Sequence, residues 1–160
     1  MTTVSIYGRY GDHFGQSVAV NFNGNVIAVG SPETDNIGSV KAYLYDSANG
    51  TWNQIGQTII GEATGDFFGH SVSLNTAGNI LAVSAQNNDG GGSNSGHVRV
   101  YYYDTNTNAW IQIGLDIDGE AYSNYTGYDH SLQLSNDGKK LVIGAYGNQF
   151  NVGHVRVFSL

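Results

Sequence analysis

Cysteine is absent from this 160-residue chain. Disulfides, thiolate nucleophiles and cysteine-ligated metals are thereby excluded, while the compartment stays open, because secreted repeat proteins also do without cysteine. Proline and methionine occur once each. Basic residues are scarce: six Lys and Arg stand against thirteen Asp and Glu, for a formal net charge of −7. So acidic a chain is a poor partner for nucleic acid or for an anionic membrane. No apolar run reaches the ~18 residues of a helical membrane span, so membrane insertion is not expected. No leader peptide is read at the start of the chain.

What is present points to strands and turns. The chain has 23 Gly and 11 Tyr. Tyr, Val, Ile and Thr favour strands, whereas Gly, Asn and Asp mark the turns between them. The chain also repeats itself. Gly11-Asp-His-Phe-Gly-Gln-Ser-Val18 returns as Gly65-Asp-Phe-Phe-Gly-His-Ser-Val72, and a worn copy spans Tyr125–Leu132. Gly38-Ser-Val-Lys41 returns as Gly96-His-Val-Arg99 and as Gly153-His-Val-Arg156. A long repeat built from strand-like pieces predicts blades or a solenoid.

Each copy reads as four short strands. Phe14–Phe22, Phe68–Leu74 and Tyr128–Leu134 come first, followed by tight turns at Asn23-Gly24, Ala77-Gly78 and Asp137-Gly138. Such dipeptides accept the positive φ of a hairpin turn. The second strands, Val26–Gly30, Ile80–Ala85 and Leu141–Ala145, are continuous apolar runs, as strands buried on both faces are. Third strands are expected at Val40–Tyr45, Val98–Tyr103 and Val155–Phe158, and fourth strands from Trp52 and from Trp110. The third copy lacks a fourth strand at its end, and Thr2–Tyr7 reads as that strand displaced to the front. Ile6-Tyr-Gly8 occupies the place of Ile59-Ile-Gly61 and Ile117-Asp-Gly119. The repeats are therefore set at 11–64, 65–122, and 123–160 together with 1–10, all in one domain.

These residues resemble a known family. Phe14-Gly15 and Phe68-Gly69 are similar to the first half of the FG-GAP repeat, and Gly30-Ser31-Pro32, Ser84-Ala85-Gln86 and Gly144-Ala145-Tyr146 to its second half. The resemblance implies an all-β fold, a β-propeller of four-stranded antiparallel blades like the integrin α-subunit head, and a recognition or adhesion role, usually extracellular. Many members carry an Asp-rich calcium loop between the first two strands. Here those places read Asn21-Phe-Asn-Gly-Asn25, Asn75-Thr-Ala-Gly-Asn79 and Ser135-Asn-Asp-Gly-Lys139. Calcium needs several oxygen ligands, preferably charged, so it is disfavoured and no cofactor is expected. In the third copy Tyr128-Asp129 is read at the Phe-Gly position.

Three blades fall short of the 4–8 that close a propeller ring. Two chains would supply six, so a homodimer is expected in which the N-terminal strand completes the partner's last blade.

Half of the basic residues share one repeat position: Lys41, Arg99 and Arg156. They are read as inter-blade residues whose charged heads meet Glu62 and Glu120, with a ring of cations for an anionic ligand as the alternative. The His residues show no metal-ligand spacing, and no Ser-His-Asp arrangement, phosphate loop or nucleophile elbow is present, so the expectation is a non-enzymatic module. Candidate ligand residues lie in the variable loops: Asp35, Asn36, Asn88, Asp89, Asn148, Gln149 and Phe150. Amides and carboxylates beside an aromatic ring suit sugars, so glycans are the first expected partner and a surface protein the second. A propeller fragment or an engineered repeat assembly without a ligand of its own also fits the sequence.

Overall fold

The computed structural model describes residues 3–120, 125–127, 131–147 and 152–160. Within them the chain is all-β apart from a single 3-10 turn, Thr34–Asn36. Three antiparallel sheets follow one another along the sequence. The first blade comprises β1 (Ser17–Val20), β2 (Val26–Ser31), β3 (Ser39–Asp46) and β4 (Thr51–Ile60), each strand paired with the next. The second comprises β5 (Phe68–Leu74), β6 (Ile80–Ala85), β7 (His97–Asp104) and an outer edge shared by β8 (Ala109–Gln112) and β9 (Ile117–Asp118). The third holds β10 (Leu132–Leu134), β11 (Lys140–Ala145) and β12 (His154–Ser159). These up-and-down sheets are β-propeller blades.

The hairpin turns explain why β1 meets β2 and β5 meets β6. The Asn21 carboxamide oxygen accepts from the backbone N–H groups of Asn25 and Val26 at 3.0 and 2.9 Å, and its amide donates to Asn25 Oδ1 at 2.9 Å. Asn75 repeats this arrangement with Asn79 and Ile80 at 3.1, 3.0 and 2.9 Å. In these two turns the Asn side chains close their own backbone, as Asx side chains do. Turns of successive blades also touch: Phe22 N–H donates to Thr76 O and Thr76 N–H to Asn136 O.

Two cores lie between blades. Val26, Ala28, Val40, Ala42 and Ile59 of the first blade bury against Phe68, Val72, Leu74, Leu81 and Val83 of the second. Ala82, Val98 and Val100 of the second blade then bury against Leu132, Leu134, Leu141 and Ile143 of the third. The second blade lies between the two cores, and β6 feeds both with alternate side chains, Leu81 and Val83 into the first and Ala82 into the second, which is why it reads as a continuous apolar run. Gly69 lies in the first seam at φ 90, and a Cβ there would press on the Ser39 carbonyl oxygen, so only glycine fits.

Two expectations change. Residues 3–9 form no strand in the chain described here. They lie beside the first blade, with Gly8 packed on Phe14, whereas β12 is at the far end of the array. In the third copy it is Thr126-Gly127 that takes the Phe68-Gly69 position. Thr126 N–H donates to Ser95 O as Phe68 N–H does to Ile37 O, and both side chains are fully buried. Gly127 N–H bonds Gly144 O, as Gly15 N–H bonds Gly30 O. The expected Tyr128-Asp129 lies outside the described residues, within two extra residues between this glycine and Ser131.

Candidate functional site

The repeat position of Lys41, Arg99 and Arg156 is built differently in each blade. In the second blade β7 directs the Arg99 side chain, which is 13% exposed, between two carboxylates. Its Nε and Nη2 donate to Asp116 at 2.8 and 2.6 Å, and Nη2 also reaches Glu62. Asn88, only 3% exposed, donates through Nδ2 to Glu62 Oε1 at 2.7 Å and to Asp66 Oδ2 at 2.8 Å. The carboxylate of Asp116 also accepts from Gln112 at 2.7 Å. Bonding to Arg99 holds the Asp116 carboxyl below its usual range despite its burial. Burial alone would raise Glu62, but hydrogen bonds from Asn88 and Arg99 outweigh it and lower it. The Arg99 guanidinium is pushed upward, chiefly by its bond to Asp116. His97 is 1% exposed and held below its usual value by burial first and by Arg99 second, so its ring is neutral. Burial pushes the Tyr101 hydroxyl up to about 12.

Ligand atoms of Glu62, His97 and Asp116 lie within 4.8 Å of one another, the spacing of a three-donor metal site. In this arrangement Arg99 already supplies the positive charge that both carboxylates need, which makes the cluster a closed structural network. The second seam repeats it more loosely. Arg156 Nε stands 3.5 Å from Glu120, its Nη1 donates to Asp118 O at 2.7 Å, and its guanidinium lies over Phe158 at 4.8 Å.

The first blade inverts this pattern. Arg9 follows Gly8 where Glu62 follows Gly61, and Lys41, Ser39 and Thr58 take the places of Arg99, His97 and Asp116. The network cannot form, and a cleft of about 210 Å³ is left. Arg9, Lys41, Asp12 and Asp35 supply its charges; Ser31, Thr34, Ser39 and Thr58 supply hydroxyls. Ser31 and Ser39 are buried at its floor, and Ser39 Oγ donates to Thr34 Oγ1 at 3.1 Å. Among the described residues neither Arg9 nor Lys41 makes an ion pair.

The loop residues expected at a ligand surface scatter. Asp35 lines this cleft, and Asn36 beside it has φ 61 and accepts Gly65 N–H on its carbonyl. Asn88 is corrected from a surface ligand residue to a buried structural one, since its amide bridges Glu62 and Asp66. Asp89 folds its own loop, accepting Asn94 N–H at 2.8 Å. Asn148, Gln149 and Phe150 lie outside the described residues. Among the described residues Lys41 has no carboxylate partner of the kind expected for an inter-blade cation. Reading the sequence position by position missed the cleft; the signal was present in Arg9 and Thr58 replacing two acids together.

Residues 61–101 match the FG-GAP repeat family. The matched span runs from Gly61, ahead of β5, to Tyr101 within β7, and carries Phe68-Gly69 and Ser84-Ala85-Gln86. No curated protein matches the chain in sequence. Among solved structures, the chain is similar to a proposed 6-phosphogluconolactonase from Bacteroides uniformis, with 14% identity and a TM-score of 0.53 over 89% of this chain and 40% of that one. It is also similar to the periplasmic gluconolactonase PpgL from Pseudomonas aeruginosa, with 17% identity and a TM-score of 0.52 over 91% and 39%. A third is Sqt1 from Saccharomyces cerevisiae, at 12% identity and TM-score 0.52 over 96% and 37%. The chain thus spans about two fifths of the length of the structures it matches.

Identities this low show the fold alone. They do overturn one expectation. The absence of a recognisable catalytic constellation pointed to a non-enzymatic module, yet the same architecture occurs in proteins named as gluconolactonases. A motif scan for nucleophile elbows and triads is therefore no ground for excluding catalysis from this propeller.

Proposed function

We propose that the chain is a recognition module for an acidic carbohydrate, bound in the cleft of the first blade. The observation that carries this reading is the charge inversion: where the second blade closes an Arg between two carboxylates, the first leaves Arg9 and Lys41 with no ion pair among the described residues, over a floor of hydroxyls. Two cations fit a ligand carboxylate or phosphate, and the Asp12 and Asp35 carboxylates accept hydrogen bonds from sugar hydroxyls. At about 210 Å³ the cleft suits one sugar unit; drug-sized ligands occupy roughly 300–1,000 Å³. The fold's occurrence in proteins named as gluconolactonases supports a sugar acid as the ligand class.

Calorimetric titration with glucuronate and with glucose tests the reading. Glucuronate is expected to bind at least about tenfold more tightly, and Lys41→Gln to remove that preference, a loss of roughly 1.4 kcal/mol. Equal affinity for the two sugars, or no binding of glucuronate at millimolar concentration, would sink it. Incubation with gluconolactone in the same buffer reports turnover, and a rate that depends on Lys41 would make the cleft an active site.

A further inference from the structure

The three blades have equivalent faces but unequal burial. Ala28 pairs with Ala42, Ala82 with Val100, and Val142 with Val157, at the same register of three sheets. The first two pairs are at most 2% exposed because the next blade covers them. Val142 is 38% exposed and Val157 65%, and Val155, the counterpart of fully buried Val40 and Val98, is 66% exposed. The other end of the array mirrors this. Val72 and Leu74 pack on the first blade and Leu132 and Leu134 on the second, yet their counterparts Val18 and Val20 are 65% and 60% exposed. Each open end therefore carries the surface that covers the other open end wherever two blades already meet.

The strand edge has the same asymmetry. Val40 pairs with Ile59 and Ser39 with Ile60; Val98 pairs with Ile117 and His97 with Asp118. Gly61 N–H and Gly119 N–H then donate to Gly38 O and Gly96 O at 3.1 and 2.7 Å. Among the described residues, β12 has no strand on that side. Residues 3–9 are not in a strand, although Ile6-Tyr7-Gly8 matches Ile59-Ile60-Gly61.

We infer that residues 3–8 of one chain add to β12 of a second copy as a fourth strand, so that two chains close one six-bladed ring through two identical seams. The occupant is a second copy of this chain because the face and the strand that fit this end are both at the opposite end of the same chain. A contact of this head-to-tail kind closes when the rotation per blade divides the circle, and six blades lie within the range propellers use. The repeat fixes the register: Ile6 opposite Val155, Tyr7 opposite His154, and Gly8 N–H on Gly153 O. Strand addition would also anchor Arg9, the next residue, at the mouth of the first-blade cleft. The inference does not depend on what that cleft binds.

The chain's lack of cysteine makes the test clean. Equal amounts of Ile6→Cys and Val155→Cys chains are mixed and oxidised. Expected is a species of twice 17.1 kDa on a non-reducing gel that collapses on reduction. It should form at least about tenfold faster than with the register-shifted pair Tyr7→Cys and Val155→Cys, whose side chains leave opposite faces of their strands. Light scattering on the unsubstituted full chain should give a two-chain mass. A folded monomer by scattering overturns the inference, as does linkage that ignores register. A chain carrying both substitutions that links within itself at 17.1 kDa also overturns it.

Discussion

Arg99 decides how much charge one blade can bury. Two carboxylates share its guanidinium; Asn88 donates to the remaining oxygen of Glu62, and Gln112 adds a second bond to Asp116 Oδ1. Removing it by Arg99→Ala leaves Glu62 and Asp116 facing each other and should cost about 2 kcal/mol, because partners bonded to a charge lose more than a neutral hydrogen bond does. Acid should weaken the fold in two steps. His97 has its folded pKa below 6.5, so between that folded value and 6.5 the unfolded chain binds more protons and stability falls as pH drops. Asp116 has its folded pKa below 3.8, so its contribution is full above that value and is lost as pH falls through the folded one. Urea midpoints at pH 7, 5.5 and 3.5 check this. His97→Asn should flatten the upper step and Asp116→Asn the lower; unchanged profiles would mean that neither group is linked to folding.

Among the elements, the second blade was the most legible from sequence and the third the least. Apolar runs and Gly-containing turns place β2, β6 and β11 within a residue of their observed ends. In β2 and β6 the run reflects burial on both faces, whereas β11 carries the same run with Val142 38% exposed, so the expectation of two buried faces fails for the third blade. The third blade's entry was misplaced. Its Phe-Gly is chemically a Thr-Gly, and what marks it is a backbone pattern, Thr126 N–H on Ser95 O and Gly127 at φ 75, that composition does not record. The cleft was hidden for a related reason. Lys41 stands out in sequence only as a repeat of Arg99 and Arg156, and the exchanges at Arg9, Ser39 and Thr58 become a replaced ion network only through their shared position in space. The exchange at Thr126 has a measurable consequence. Among the described residues its fully buried hydroxyl has no hydrogen-bond partner, whereas the equivalent Phe68 fills a seam with apolar surface. Thr126→Val keeps the volume and removes the unsatisfied oxygen, so it should stabilise the chain by about 1 kcal/mol in a denaturant titration. A loss of stability instead would mean that the hydroxyl is bonded in solution.

At the scale of the whole molecule, stability and assembly are one quantity. The first and second blades share a core and the second and third another, but the outer faces, with Val18, Val20, Val155 and Val157 at 60% exposure or more, contribute only when something covers them. Surface of this kind on an array of three blades favours association, since each valine carries roughly 1.5–3 kcal/mol on full burial. If a second copy covers it, mass action makes the melting temperature rise with protein concentration. Val157→Glu places a charge in the middle of the seam and should abolish that dependence. The Trp52 and Trp110 signals of the first two blades should nevertheless persist, because both residues lie away from β12. A melting temperature that is independent of concentration in the unsubstituted chain, at concentrations spanning three decades, would place all of its stability in the two internal seams and leave the end faces with no partner of their own kind.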